Sequence, residues 1–136
     1  MSAMSWPLQK ALYAHLVSDT GLKSELGDPP RLYDDPPKDA AFPYVVIGEA
    51  RAEPLAGLEG GFVHDIRLQI YSRHAGRRDV KRLIDLLYDA LHEASFAVEG
   101  ARLVDCRFVL GDVFRRDATG EAYHGVARFR VMTETA

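Results

Sequence analysis

The sequence predicts an α+β fold: a four-stranded, mostly antiparallel sheet with two helices packed on one face, in the order α-β-β-α-β-β. Three observations lead there. Apolar residues recur with helical spacing in two separate stretches, they alternate with period two in three others beside a fourth strand-like apolar run, and turns rich in glycine or proline divide the two kinds. The 136 residues suit a single domain spanning 1–136. An apolar fraction of 47% is enough to bury a sizeable core.

The first helix opens at Ser5, an N-cap residue followed by Trp6 and Pro7, and Leu8, Leu12 and Leu16 then stack on one stripe. It is expected to run to about Asp19, with Gly21 ending it and a further short turn around Leu22 to Leu26. Gly27 to Pro43 is rich in proline and aspartate and reads as an extended connector, within which Arg31-Leu32-Tyr33 fits a brief strand or anchor. Tyr44 to Glu53 is the first full strand, apolar on both faces at first and polar on one face later. After the loop Pro54 to Gly61, the strand Phe62 to Ser72 alternates Ile66, Leu68 and Ile70 with Asp65, Arg67, Gln69 and Tyr71. These two strands form a hairpin with a mobile tip.

A turn over Arg73 to Asp79, containing Gly76, leads into a helix from Arg77 to Ala94. Val80, Leu83, Ile84, Leu87, Leu91 and Ala94 make its buried stripe, opposite Lys81, Asp85, Asp89 and Glu93. Lys81 and Asp85 are spaced for a modest ion pair. Beyond Gly100 a strand from about Leu103 to Phe114 places Val104, Cys106, Phe108 and Leu110 on one face, with Gly111 expected at a bulge. Asp117 to Gly120 is a turn, and the closing strand, Ala122 to Thr133, points Ala127, Phe129 and Val131 inward and Arg128 and Arg130 outward.

Composition excludes several functions. With 17 basic against 20 acidic residues, a net charge of -3, the chain lacks the basic excess a dedicated nucleic-acid binder uses to neutralise phosphate. The single cysteine, Cys106, permits no intrachain disulfide and no cysteine-based zinc site, and suits a reducing cytoplasm. The first residues lack the charged and apolar runs of a signal peptide, and no apolar run is long enough to span a bilayer, so no membrane role is expected.

The sequence offers no catalytic, cofactor-binding or metal-binding residues. Pairing of the last two strands puts His124 beside residues 113–115, which leaves Cys106 about 23 Å away at ~3.3 Å per residue. A nucleophile and its base need to touch, so Cys106 reads as a small core residue. His15, His64, His74, His92 and His124 show no metal-ligand spacing and read as surface or turn residues. Asp34, Asp35 and Asp39 lack the alternating ligands and central glycine of a calcium loop. Gly57-Leu-Glu-Gly-Gly61 lies between strands and carries Glu59, unlike a phosphate-binding loop. Tyr71 alone makes no base-stacking platform of the sheet.

The run Phe42-Pro-Tyr-Val-Val-Ile-Gly48, the segment Tyr71-Ser-Arg-His-Ala-Gly76 and the closing Tyr123-His-Gly-Val-Ala-Arg-Phe-Arg130 together resemble the tail-terminator or tail-completion family of long-tailed phages and gene transfer agents. The likeness covers nearly the whole chain, and the order of the motifs is more specific than any one of them. It implies a virion structural protein and no enzyme, assembled in the bacterial cytoplasm as a hexameric ring on the end of the tail tube. It implies as partners the chain itself, the major tail tube protein, and a neck, connector or stopper protein, with DNA only in transit through the lumen. Pro43 and Gly48 would shape the first strand, and Gly76 would release the chain into the second helix.

A cyclic ring needs two different patches on each subunit, meeting head to tail. The candidates are the loop carrying Leu55, Leu58, Glu59 and Phe62, and the outward arginines Arg67, Arg107, Arg128 and Arg130. Arg115 and Arg116 near a hairpin tip are candidates to line the channel. The competing readings are a head-side neck adaptor, stopper or minor tail protein, and a cytoplasmic module that binds nucleic acid or a small ligand. A ring separates the tail roles from the last, for which a salt-sensitive monomer is expected.

Overall fold

The computed structural model describes residues 3–73, 77–115 and 122–136. Its elements are α1 (Ser5–Val17), α2 (Thr20–Leu26), β1 (Leu32–Tyr33), β2 (Tyr44–Pro54), β3 (Gly61–Arg73), α3 (Arg77–Leu91), β4 (Ala101–Arg115) and β5 (Ala122–Thr135). The strands form one sheet in the order β1-β2-β3-β5-β4, antiparallel throughout except for the short parallel pair β1–β2. The α+β class therefore stands, with five strands and three helices where the sequence suggested four and two.

Both additions have local causes. Asp19 accepts a hydrogen bond from the Leu22 amide at 2.9 Å and so starts α2. An aspartate cap of this kind outweighs the helix-ending tendency of Gly21, which lies inside α2. Leu32 and Tyr33 pair with Val45 and Val46, turning the anchor in the connector into an edge strand. At the other end, α1 is capped one residue earlier than expected, at Met4, and Ser5 is its first helical residue.

The core is one cluster. Leu8, Leu12 and Leu16 of α1, Leu22 and Leu26 of α2, and Val80, Leu83, Leu87 and Leu91 of α3 pack on Val45, Ile66, Leu68, Ile70, Ala127, Phe129 and Val131 of the sheet. All of these are buried, and the period-two and helical patterns that predicted them hold. The helix α3 stops at Leu91 and not Ala94, because Glu93 turns to φ 58° and gives its amide to the Cys106 carbonyl at 2.7 Å. Lys81 and Asp85 form no ion pair, and Arg82 reaches Glu25 of α2 at 3.4 Å.

The β4 strand departs from simple alternation twice. Its pairing with β5 skips Val104, between Leu103 and Asp105, and Val109, between Phe108 and Leu110. Each extra residue shifts the alternation by one place. Cys106 and Phe108 do face the helices, but Val104 is exposed and Leu110 pairs with outward-facing Arg128. Gly111 is not at the bulge itself; it faces α3, where a Cβ would stand 2.9 Å from Ile84. A third shift, between Val46 and Glu49, divides the buried start of β2 from its exposed remainder. Gly48 lies there, and a Cβ on it would come 2.9 Å from the Asp34 carboxylate, so glycine lets the connector pass close by.

Candidate functional site

With all three helices on one side, the opposite face of the sheet is open. Strand register builds this face row by row. Arg51, Asp65, Arg130 and Arg107 lie side by side across β2, β3, β5 and β4, and Glu49, Arg67, Arg128 and Leu110 form the adjacent row. The four sheet arginines anticipated from the sequence therefore come together on one surface.

Their charges are only partly balanced within the chain. Asp65 takes hydrogen bonds from both Nη2 and Nε of Arg128, at 2.8 and 3.3 Å, and is also 3.5 Å from Arg67. Arg107 binds Asp105 at 2.7 Å and approaches Glu93 at 3.7 Å, while Arg51 binds Glu53 at 2.8 Å. Arg130 has no ion pair among the described residues. A shallow cleft of about 260 Å³ opens between these groups, lined by Arg51, Glu53, Asp65, Val109, Arg128 and Arg130.

One end of the open face carries a feature the sequence reading missed. Tyr44, Tyr71, His124 and Phe114 align across the four long strands. Their ring centroids are 5.2, 4.7 and 4.7 Å apart in turn. Phe42 and Tyr33 extend the row beyond Tyr44, and Arg73 covers Phe42 at 4.6 Å. Tyr71 is thus not isolated. The row is still unlike a base-stacking platform, because Tyr71 and His124 turn their faces onto each other, 10° from parallel. It is a row of rings packed on one another, with His124 also bonded to Gln69 Oε1.

The loop candidates lie apart from the arginines. Leu55, Leu58 and Glu59 sit at the β2–β3 turn, with Leu58 and Glu59 exposed. Phe62 pairs with Pro54 and the buried Thr133, so it belongs to the helix side of the sheet. The turn closes on itself through Leu55 N to Gly61 O and Gly61 N to Leu58 O, and the Thr135 amide ties it down at Gly60 O, 2.8 Å away. It is a hydrogen-bonded turn. Arg115 is exposed at the end of β4, and Arg116 lies outside the described residues, as do His74 and Gly76.

The remaining candidate chemistry resolves into structure. Cys106 is fully buried, and burial, with Asp105 adding, pushes its thiol up to about 12. A thiol held protonated is a poor nucleophile. Of the histidines expected at the surface or in turns, His15, His92 and His124 are part-exposed, and His64 departs from the expectation. His64 is buried, bonded to Thr133 Oγ1 at 2.9 Å, and burial lowers its pKa. His15 bonds the Ala90 carbonyl at 2.8 Å, and His92 Nδ1 accepts the Phe108 amide at 3.1 Å. These side chains tie elements together, and His92 in particular caps the outer edge of β4.

The family model described as "Tail completion protein gp17" matches residues 10–134. Among solved structures, a chain from "Virion of native gene transfer agent (GTA) particle" superposes with a TM-score of 0.84 at 28% identity. That match covers 93% of this chain and 94% of the other. No curated protein matches.

Proposed function

Starting from the chain's membership of the tail completion protein gp17 family, we propose that it forms a ring, sixfold in our reading, that caps the tail tube and joins the tail to the head-neck connector. It is a structural protein of a virion tail. The observation that carries the reading is the extent of the match, which takes in every element except the first residues of α1 and the last of β5. The open sheet face supports it, since partly exposed aromatic and arginine side chains are the groups enriched where protein surfaces meet.

The direct partners in this reading are further copies of the chain, the tail tube protein and a neck or stopper protein. The arginine face and the Leu55–Phe62 loop supply the contacts, and Arg115 with Arg116 lines the passage for DNA. Particles made without this protein should carry tubes of uncontrolled length that fail to join heads, seen by negative-stain microscopy. Tails of normal length, attached to heads, would remove the role. Reversing Arg115 and Arg116 to glutamate should lower DNA delivery by intact particles, and unchanged delivery would remove the channel assignment alone.

A further inference from the structure

We infer that the acidic connector of one copy, residues 34–39, docks on the arginine face of the next; this rests on the ring reading above and names the contact that closes the ring. Head-to-tail closure needs two unlike patches on each subunit. The chain presents two with opposite unmet charge. On the open face Asp65 is divided between Arg128 and Arg67, and Arg130 has no ion pair among the described residues. Two guanidinium groups there share one carboxylate, and a third is left without one among the described residues.

The other patch is Asp34-Asp-Pro-Pro-Lys-Asp39. Asp34 is engaged by Gln9 at 2.7 Å, whereas Asp35 and Asp39 are exposed and have no ion pair among the described residues. The guanidinium fork suits a carboxylate, and charge-assisted pairs of this kind are the stronger hydrogen bonds. Pro36 and Pro37 restrict the connector before it binds, which reduces the entropy lost on docking.

The two patches are also correctly placed. The connector leads into β2 from β1, at one edge of the sheet, while Arg130 and Arg107 are on β5 and β4, at the other side. Contact between them joins the β1–β2 edge of one copy, where Asp34 and Asp35 border the open face beside Tyr44 and Glu49, to the β5–β4 half of that face on the next. Val63 and Val109 flank the arginine cleft and would help exclude water from the pairs. Duplex DNA fits this face less well, because its evenly spaced phosphates would run over Glu53, Asp65 and Asp105, whereas the connector brings two exposed carboxylates, Asp35 and Asp39, that need meet only Arg130 and its neighbours.

The test uses the purified full chain, with assembly followed by sedimentation and native mass. The parent should form rings that loosen as salt rises. Arg130→Glu, and separately the pair Asp35→Lys with Asp39→Lys, should each lower the assembled fraction by about tenfold or more, since like charges facing across an interface cost several kcal/mol. Mixed in equal amounts, the two variants should assemble again, because each supplies the charge the other's reversed patch needs. Unchanged melting temperatures show that both remain folded, as substitutions at exposed positions should. Rings from the parent and from every reversed variant alike would overturn the docking and leave the ring reading standing. A parent that stays monomeric even beside tube ends would remove both. Retention of duplex DNA by the parent, abolished by Arg130→Glu with assembly unaffected, would reassign the face to nucleic acid.

Discussion

Gly125 on β5 lies against Val80 of α3 so closely that a Cβ on the glycine would stand 2.2 Å from the Val80 Cγ1 methyl. Glycine here is a packing requirement: it brings the first turn of α3 down onto the centre of the sheet. Gly125→Ala should therefore destabilise the fold by about 2–3 kcal/mol, the upper part of the range for overpacking a dense core. Urea denaturation of the two proteins measures this directly. A compensating Val80→Ala in the same chain should recover part of the loss, and no recovery would mean that Val80 is not the group in the way.

His64 makes stability depend on pH. Burial against Thr133 lowers its pKa below the ordinary value of about 6.5. Above that value neither the folded nor the unfolded chain protonates it, and the fold keeps its full stability. As pH falls below it, the unfolded chain takes up a proton that the folded chain refuses. Stability then drops by up to about 1.4 kcal/mol per pH unit until the folded value is reached. Replacing His64 with glutamine should flatten this part of the curve between roughly pH 6.5 and 5, where most carboxylates are still ionised. Equal slopes for the two proteins would show that His64 does not carry the effect.

The elements legible in the sequence were those with periodic burial. The stripe from Val80 to Leu91 and the alternations through Ile66–Ile70 and Ala127–Val131 each identify a buried face without any tertiary information. What stayed hidden depends on register between distant strands. Tyr44, Tyr71, Phe114 and His124 are unremarkable one by one, and only the pairings Tyr44↔Tyr71, Tyr71↔His124 and Phe114↔His124 make them a row. The skipped residues Val104 and Val109 carry no glycine or proline to announce a bulge, so simple alternation misassigned Leu110. Two residues are too few to show a period, which is why β1 could be read only as a strand or an anchor. The arginine face was half legible: its outward direction followed from alternation, but Asp65 as the shared partner of Arg128 and Arg67 did not.

The outer edge of β4 is capped near its middle by the His92 side chain. His92 Nδ1 accepts the Phe108 amide at 3.1 Å, next to the bond from the Glu93 amide to the Cys106 carbonyl. His92→Ala should faster-exchange the Phe108 amide proton and cost about 1 kcal/mol, the usual net worth of such a bond. Hydrogen exchange followed by NMR reads the amide itself, so a loss of global stability with Phe108 exchange unaltered relative to its neighbours would assign His92 a packing role only.

Two phenylalanines on neighbouring strands separate folding from assembly. Phe129 is fully buried at the centre of the sheet, and Phe129→Ala should cost about 3–5 kcal/mol, as large-to-small changes in cores do. Phe114 is 42% exposed on the opposite face, at the end of the aromatic row beside His124. Its replacement by alanine gives up little burial, so the melting temperature should move by no more than a few degrees, corresponding to about 1 kcal/mol or less. If the open face meets a partner, the same substitution should weaken ring formation far more than it weakens the fold, because aromatic side chains dominate interface cores. Sedimentation and thermal melts on one preparation compare the two effects. Rings of undiminished stability from Phe114→Ala would place the aromatic row outside the subunit contact and confine that contact to the arginines.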